Sequence, residues 1–233
     1  MSNADKIILH LCAKEGSDSK PYRDAGYDVR IIGEEIGVEN FSPPSNVYGI
    51  IANPPCTQFS MLRGTPKSPR DLREGMRLVK EVLRIIWECQ YACTGPCNQP
   101  PPLKFWMLEN PSTGFLSWFL GKPNFVYSQH EYGALHTKRT GLWGYFNHPK
   151  RPILSNPLPA GSTLSKCGDT GRHDDKDGRR SHCPINFAMA FFEANPWLFE
   201  RNADAISTIT VVVSTKILSG APSLDSRHYG HRI

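Results

Sequence analysis

The chain has 233 residues, of which 39% are hydrophobic, 21% charged and 10% aromatic, and Lys and Arg exceed Asp and Glu by five. That is enough apolar material to bury a sizeable core, and five Trp, eight Tyr and eleven Phe exclude a disordered chain. No stretch of eighteen apolar residues exists to span a membrane, and the excess of positive charge permits an anionic partner such as nucleic acid without requiring one.

The opening MSNADKIILHLCAKEG, a short apolar stretch followed at once by charge, does not read as a signal peptide. With seven Cys, an odd number, this predicts a cytoplasmic protein whose reduced thiols serve packing, metal binding or catalysis. KIILHLC (6–12) reads as a strand, KEGSDS as a turn, PYRDAG as a short helix ended by Gly26, and YDVRII (27–32) as the next strand. VYGIIANPP (47–55) is a third apolar run, halted by Pro54-Pro55; a run so apolar suits a strand covered on both faces. Residues 69–92 are helical by spacing, with Leu72, Met76, Val79, Leu83, Ile86 and Trp87 recurring at threes and fours. CTGPCNQPPP breaks that helix. LKFWMLENP (103–111) follows as a buried strand, TGFLSWFLG (113–121) as a short helix, and FVYSQHEYG (125–133) and TGLWGYF (140–146) as strands. The alternation predicts an α/β fold with a largely parallel sheet.

From about 147 to 183 periodicity fades and Pro, Gly, Ser and charge dominate, as in a long functional loop or small insertion. INFAMAFFEAN (185–195) returns to helical spacing, and ISTITVVVSTKIL predicts a strand before a polar end. The divisions are a core over 1–146, an insertion over 147–183, a returning helix over 184–200 and a tail over 201–233.

Ligands of an open α/β sheet bind at the carboxyl ends of its strands. Three such ends carry reactive residue types: LCAKEGSDS, ANPPCTQFS and MLENP. Cys12 and Cys89 read most simply as small buried hydrophobes. Cys56 differs, because Pro54-Pro55 before it and Thr57-Gln58 after it belong to a rigid loop at the rim. Glu109 ends the most apolar strand, where a carboxylate is either paired or functional. A thiol with a proton-holding carboxyl makes a covalent-catalysis pair. Two looser sets, Cys89/Cys93/Cys97 and Cys167/His173/His182/Cys183, contain no Cys-x-x-Cys pair, so no metal is expected; a structural zinc in the insertion is the lesser reading.

Pro55-Cys56 within NPPCTQFS resembles the catalytic Pro-Cys motif of the C5-cytosine DNA methyltransferases, and Glu109-Asn110-Pro111 resembles their Glu-Asn motif. LHLCAKEGSDSKPYRDAGYDV stands where their cofactor-binding motif belongs, ending in Ala25-Gly26. YGALHTKRTGLWG (132–144) resembles their Gln-x-Arg-x-Arg block, in the Lys-x-Thr-x-x-Trp form of small phage-borne members. RSHCPINFAMAFFEANP (180–196) is similar to the closing segment of such enzymes. All five stand in the family's order over roughly residues 6–196.

The resemblance implies a Rossmann-like class I methyltransferase core, a mostly parallel twisted sheet with helices on both faces. It implies methyl transfer from S-adenosylmethionine to C5 of a cytosine flipped out of double-stranded DNA, by a monomer in the cytoplasm (the host's, if phage-encoded). Cys56 would be the nucleophile at C6 and Glu109 the group at N3, with Lys138 and Arg139 stabilising the thiolate or holding phosphate. Cofactor contacts fall to Cys12, Lys14, Gly16, Asp18, Glu34, Asn53 and Pro54. Substrate contacts fall to Pro55, Ser60, Asn110, Thr140, Arg179 and Arg180; Pro55 fixes the loop that carries Cys56, and Asn110 orients the strand end of Glu109. The 147–183 insertion stands in the place of the family's target-recognition region, and residues 138–180 hold nine basic side chains against four acidic ones.

The cofactor loop departs most. Cys12-Ala13-Lys14-Glu15-Gly16 replaces the family's Phe-x-Gly-x-Gly turn, and only Gly16 keeps a glycine. Lys14 puts a cation where a sulfonium is expected. Gly33 stands where an acidic residue should end the second strand, with Glu34 next, and Glu39 is the nearest candidate after the third strand. Three readings follow: ordinary S-adenosylmethionine with Lys14 turned outward, a more anionic analogue of it, or a decayed site in a DNA-binding pseudoenzyme. An RNA cytosine-5 methyltransferase is the rival that keeps the chemistry.

Overall fold

The structure is a computed structural model that describes residues 2–61, 69–91, 103–134, 138–152 and 183–196. Strand β1 (Ile7–Leu11) is buried at every position, and β2 (Asp28–Ile32) and β3 (Val47–Ala52) flank it, both parallel to it. β4 (Phe105–Pro111) pairs parallel to β3, and β5 (Phe125–Ser128) and β6 (Arg139–Tyr145) complete the order β2-β1-β3-β4-β6-β5. β6 lies between β4 and β5 and is antiparallel to both. The sheet is therefore mixed, with five strands pointing one way and one reversed. The physical reason is length: the link 129–138 is too short for the crossover that a parallel return needs, so the chain doubles back.

Alternation along the strands divides the core between two faces. Ile7, Leu9 and Leu11 of β1, Ile50 and Ala52 of β3 and Leu108 of β4 pack against Val79, Val82, Ile85, Ile86 and Cys89 of α2 (Leu72–Gln90). On the other face Tyr22 of α1 (Lys20–Asp24) stacks on Phe105 at 5.5 Å, and Phe105 meets Phe191 of α4 (Ile185–Ala194) at 5.7 Å. Phe187 of α4 lies flat on Tyr127 of β5 at 4.1 Å. Helices thus cover both faces, and each fully buried Ile or Val of α2 contributes about 1.5–3 kcal/mol.

The helix boundaries have local causes. Asp71 caps α2 by accepting from the Glu74 amide at 2.9 Å, and Gly26, at φ +81°, follows the end of α1. Trp87 does not join the core as its spacing predicts. The buried stripe runs through Val79, Val82, Ile86 and Cys89, and Trp87, one residue past Ile86, swings round the helix to 56% exposure. FVYSQHEYG is strand only to Ser128; Gln129–Tyr132 is a 3-10 turn, and the short apolar helix is the single turn α3 (Ser117–Leu120).

Every described element belongs to one unit, Met1–Asn195; of the second, Pro196–Ile233, Pro196 alone is described. Most of the insertion (153–182) and the strand expected in the tail lie outside the described residues. Among the described residues no helix is long and apolar enough to cross a membrane.

Candidate active site

Successive strands leave β1 in opposite directions, to β2 on one side and β3 on the other, which opens a crevice at their carboxyl ends. A cavity of about 580 Å³ occupies it. One wall is the loop after β1 with His10 and Cys12 to Asp18; a second is Ile32 to Glu34 and Gly37 to Glu39; Asn53 to Thr57, Glu109 and Lys138 close the far end.

The loop after β1 has no glycine where it first turns. Cys12 takes the left-handed conformation itself, at φ +57°, while its amide donates to the Ile32 carbonyl at 2.9 Å. Gly16 makes the second left-handed turn at φ +73°, and a Cβ there would stand 2.6 Å from Ile31 Cδ1. Gly33 is required by close approach: its Cβ would lie 2.9 Å from the Ala13 carbonyl oxygen. The backbone thus lies against the end of β2 without the glycine run. Burial pushes the Cys12 thiol up to about 12, so it is inert at neutral pH.

The loop after β3 is anchored at both ends. Asn53 donates its amide to Leu11 at 3.0 Å, and the Asn110 side chain donates to the Pro54 carbonyl at 2.9 Å. Beyond Cys56 the chain turns tightly, the Cys56 carbonyl accepting from the Phe59 and Ser60 amides at 2.9 and 2.8 Å. Fully buried Phe59 pins that turn, its carbonyl accepting from the Phe115 amide at 2.9 Å. Cys56 is consequently half-buried on a fixed loop and lines the cavity.

Opposite it, Glu109 Oε1 and Lys138 Nζ are 3.3 Å apart, with side-chain exposures of 16% and 22%. Burial alone would lower the Lys138 pKa, but Glu109, the Cys56 sulfur and Asp18 outweigh it, and Lys138 stays above its ordinary value. Burial raises the Cys56 thiol; Lys138 opposes that shift and Glu109 adds to it. The resting sulfur is therefore protonated, with a cation in place to stabilise the thiolate once the proton leaves.

Of the residues singled out in the sequence, Cys56, Glu109, Lys138, Cys12, Lys14, Gly16, Asp18, Glu34, Asn53, Pro54 and Pro55 share this cavity. Four do not line it. Arg139 is exposed at the start of β6, and Ser60 lies beyond the turn. Asn110 and Thr140 are fully buried, so neither reaches a substrate: Asn110 ties the Glu109 strand to the Cys56 loop, and Thr140 Oγ1 lies 3.4 Å from the Lys138 carbonyl. Arg179 and Arg180 lie outside the described residues, as do Cys93, Cys97, Cys167, His173 and His182. Among the described residues no His, Cys, Asp or Glu group is arranged to hold a metal.

No protein-family model matches the chain, and no curated protein matches it.

Several residues in the cavity wall or behind it had no role in the sequence reading. His10 is a polar side chain inside an otherwise apolar strand, and that contrast was the available signal. Arg77 lines the cavity and pairs with Glu39 and, at 3.1 Å, with Glu74. Arg84 donates to the Val38 and Phe41 carbonyls at 3.1 and 3.0 Å and so holds the wall that carries Glu39. Cys183, which the sequence offered only within a loose metal set, donates its thiol to the Pro184 carbonyl at 3.5 Å just before α4, and burial with the nearby Asp18 charge pushes its pKa up.

Proposed function

We propose that this protein transfers a methyl group from S-adenosylmethionine to C5 of cytosine in DNA, on a Rossmann-like core. The observation that carries the reading is the placement of Cys56, Glu109 and Lys138 at one end of a cavity that continues along the loops after β1 and β2. The remaining lining fits the cofactor: Asp18, Glu34 and Glu39 supply carboxylates for hydroxyl and cationic groups, and the volume is that of a small-molecule site. When bound, S-adenosylmethionine supplies an electrophilic methyl group.

The chain's own residues prepare the ring to accept it. Cytosine C5 is a weak nucleophile. Cys56 passes its proton to the Glu109 carboxylate and its sulfur bonds to C6, while Glu109 hands that proton on to N3. Electron density moves to C5. After C5 is methylated it loses its proton to solvent, the C6–sulfur bond breaks and the thiolate leaves, N3 returns its proton through Glu109 to the sulfur, and the aromatic ring is restored. Lys138 stabilises the thiolate at both ends of the cycle. A base inside a duplex is out of reach of a half-buried thiol, so the cytosine must leave the stack.

Incubation with methyl-labelled S-adenosylmethionine and either DNA or RNA tests the proposal, with label expected in DNA cytosine only. Label in RNA alone, or in neither polymer, overturns it. DNA containing 5-fluorocytosine is expected to trap a covalent adduct through Cys56; a Cys56→Ala protein that still methylates normally removes the assigned nucleophile.

A further inference from the structure

We propose that the hydrogen-bond chain Ser19–His10–Asn53–Asp18 builds a cation seat in the cavity, in which Asp18 receives a positively charged group of the ligand and His10 is the positioning residue that aims it. The identity of that group as sulfonium or ammonium rests on the methyltransferase reading; the seat itself rests on the following geometry.

Asp18 is only 6% exposed and lines the cavity. Asn53 Nδ2 donates to its Oδ2 at 2.8 Å and Ser17 Oγ to its Oδ1 at 3.2 Å. Among the described residues no cation forms an ion pair with it: Lys138, which feels its charge, is paired with Glu109, and His10, which feels it too, is held below its ordinary pKa by burial. A carboxylate so buried and left without a counter-ion is costly unless a cation arrives with the ligand.

The donors fix the rest of the chain. Because Asn53 spends its amide nitrogen on Asp18, its Oδ1 faces His10 Nε2 at 2.8 Å and can only accept. His10 Nε2 must therefore carry the proton. Nδ1 of the neutral ring then accepts from the Ser19 hydroxyl at 2.8 Å, the shorter of that hydroxyl's two contacts; the Gly16 carbonyl, 3.2 Å from the same oxygen, is the competing acceptor for its single hydrogen. Burial lowers the His10 pKa, which agrees with a neutral ring although Asp18 and Asn53 oppose the shift. His10 is 2% exposed and does not need to touch the ligand; it sets the orientation of Asn53, and Asn53 sets that of Asp18.

Calorimetry with S-adenosylmethionine, S-adenosylhomocysteine and 5′-methylthioadenosine separates the two cations. For an ammonium seat, Asp18→Asn weakens the first two together by at least tenfold and spares the third. For a sulfonium seat it weakens S-adenosylmethionine alone. Equal affinities for all three in wild type and variant, or equal loss of all three, overturn the seat. His10→Gln, which keeps a donor toward Asn53, is expected to stay within threefold of wild type, whereas His10→Phe follows Asp18→Asn; a His10→Phe protein that binds like wild type overturns the positioning role.

If the wild type binds none of the three, the methyltransferase reading fails and the seat is decided without adenosyl ligands. Nitrogen NMR of His10 is expected to show the neutral Nε2–H form, and carboxyl-labelled Asp18 is expected to shift on titration with trimethylsulfonium or methylammonium but not with sodium. An Nδ1–H or charged ring, or an Asp18 signal unmoved by both organic cations, overturns the proposal.

Discussion

Replacing Glu109 by Gln separates the two roles of its charge. At 3.3 Å, and at the effective dielectric of about 20 that suits such sites, Glu109 and Lys138 attract by about 5 kcal/mol before desolvation is counted. Exposed pairs retain less than about 1 kcal/mol of such an attraction, while breaking a buried pair costs about 3–5 kcal/mol. With side-chain exposures of 16% and 22%, this pair lies between those cases, so Glu109→Gln is expected to cost about 2 kcal/mol. That lowers Tm by about 4–8 °C in a domain of this size. Lys138→Met is expected to cost a similar amount, and the double variant less than the two losses combined, because no lone charge is left behind. The same substitutions move the Cys56 thiol in opposite directions. Glu109 raises it and Lys138 lowers it, so iodoacetamide should alkylate Cys56 faster in Glu109→Gln and slower in Lys138→Met. The proposed methyl transfer should fall in both. Alkylation that slows in Glu109→Gln, or additive losses of stability, would refute this account of the pair.

Three further outcomes are expected. Because His10 titrates lower in the folded chain than in the unfolded one, the unfolded state binds the additional proton as pH falls below about 6.5, and stability should decline from there towards the folded pKa. Burial drives that shift, with Asp18 and Asn53 opposing and Arg23 reinforcing it; urea melts at pH 7 and pH 5 should show a slope that His10→Gln reduces. Gly33→Ala forces its Cβ against the Ala13 carbonyl and should weaken binding of the proposed cofactor, S-adenosylmethionine, about tenfold by calorimetry, with Tm changed by only a few degrees. Arg84→Ala removes both donors to the Val38 and Phe41 carbonyls, and hydrogen exchange should quicken at residues 38–41 while β1 and β3 stay protected.

The candidate reactive residues were legible because their chemistry is local. Pro54-Pro55 stiffens the chain beside Cys56, and a carboxylate closing a run such as FWML is conspicuous in any sequence. The buried strands and α2 were equally legible, since their apolar spacing needs no knowledge of partners. Sequence could not say that Glu109 spends its charge on Lys138, twenty-nine residues away, because that pair exists only once β6 turns back between β4 and β5. Nor could it say that Asn110 and Thr140 point inward, or that Cys12 turns left-handed in place of a glycine; such choices depend on which neighbours fill the space. The chain by itself determined the α/β class and the identity of the thiol and carboxyl that could react. Only the tertiary structure decided the reversed strand, the Lys138 counter-ion and the chain from His10 to Asp18, because charge and hydrogen bonding act over a few ångströms in space and are blind to distance along the sequence.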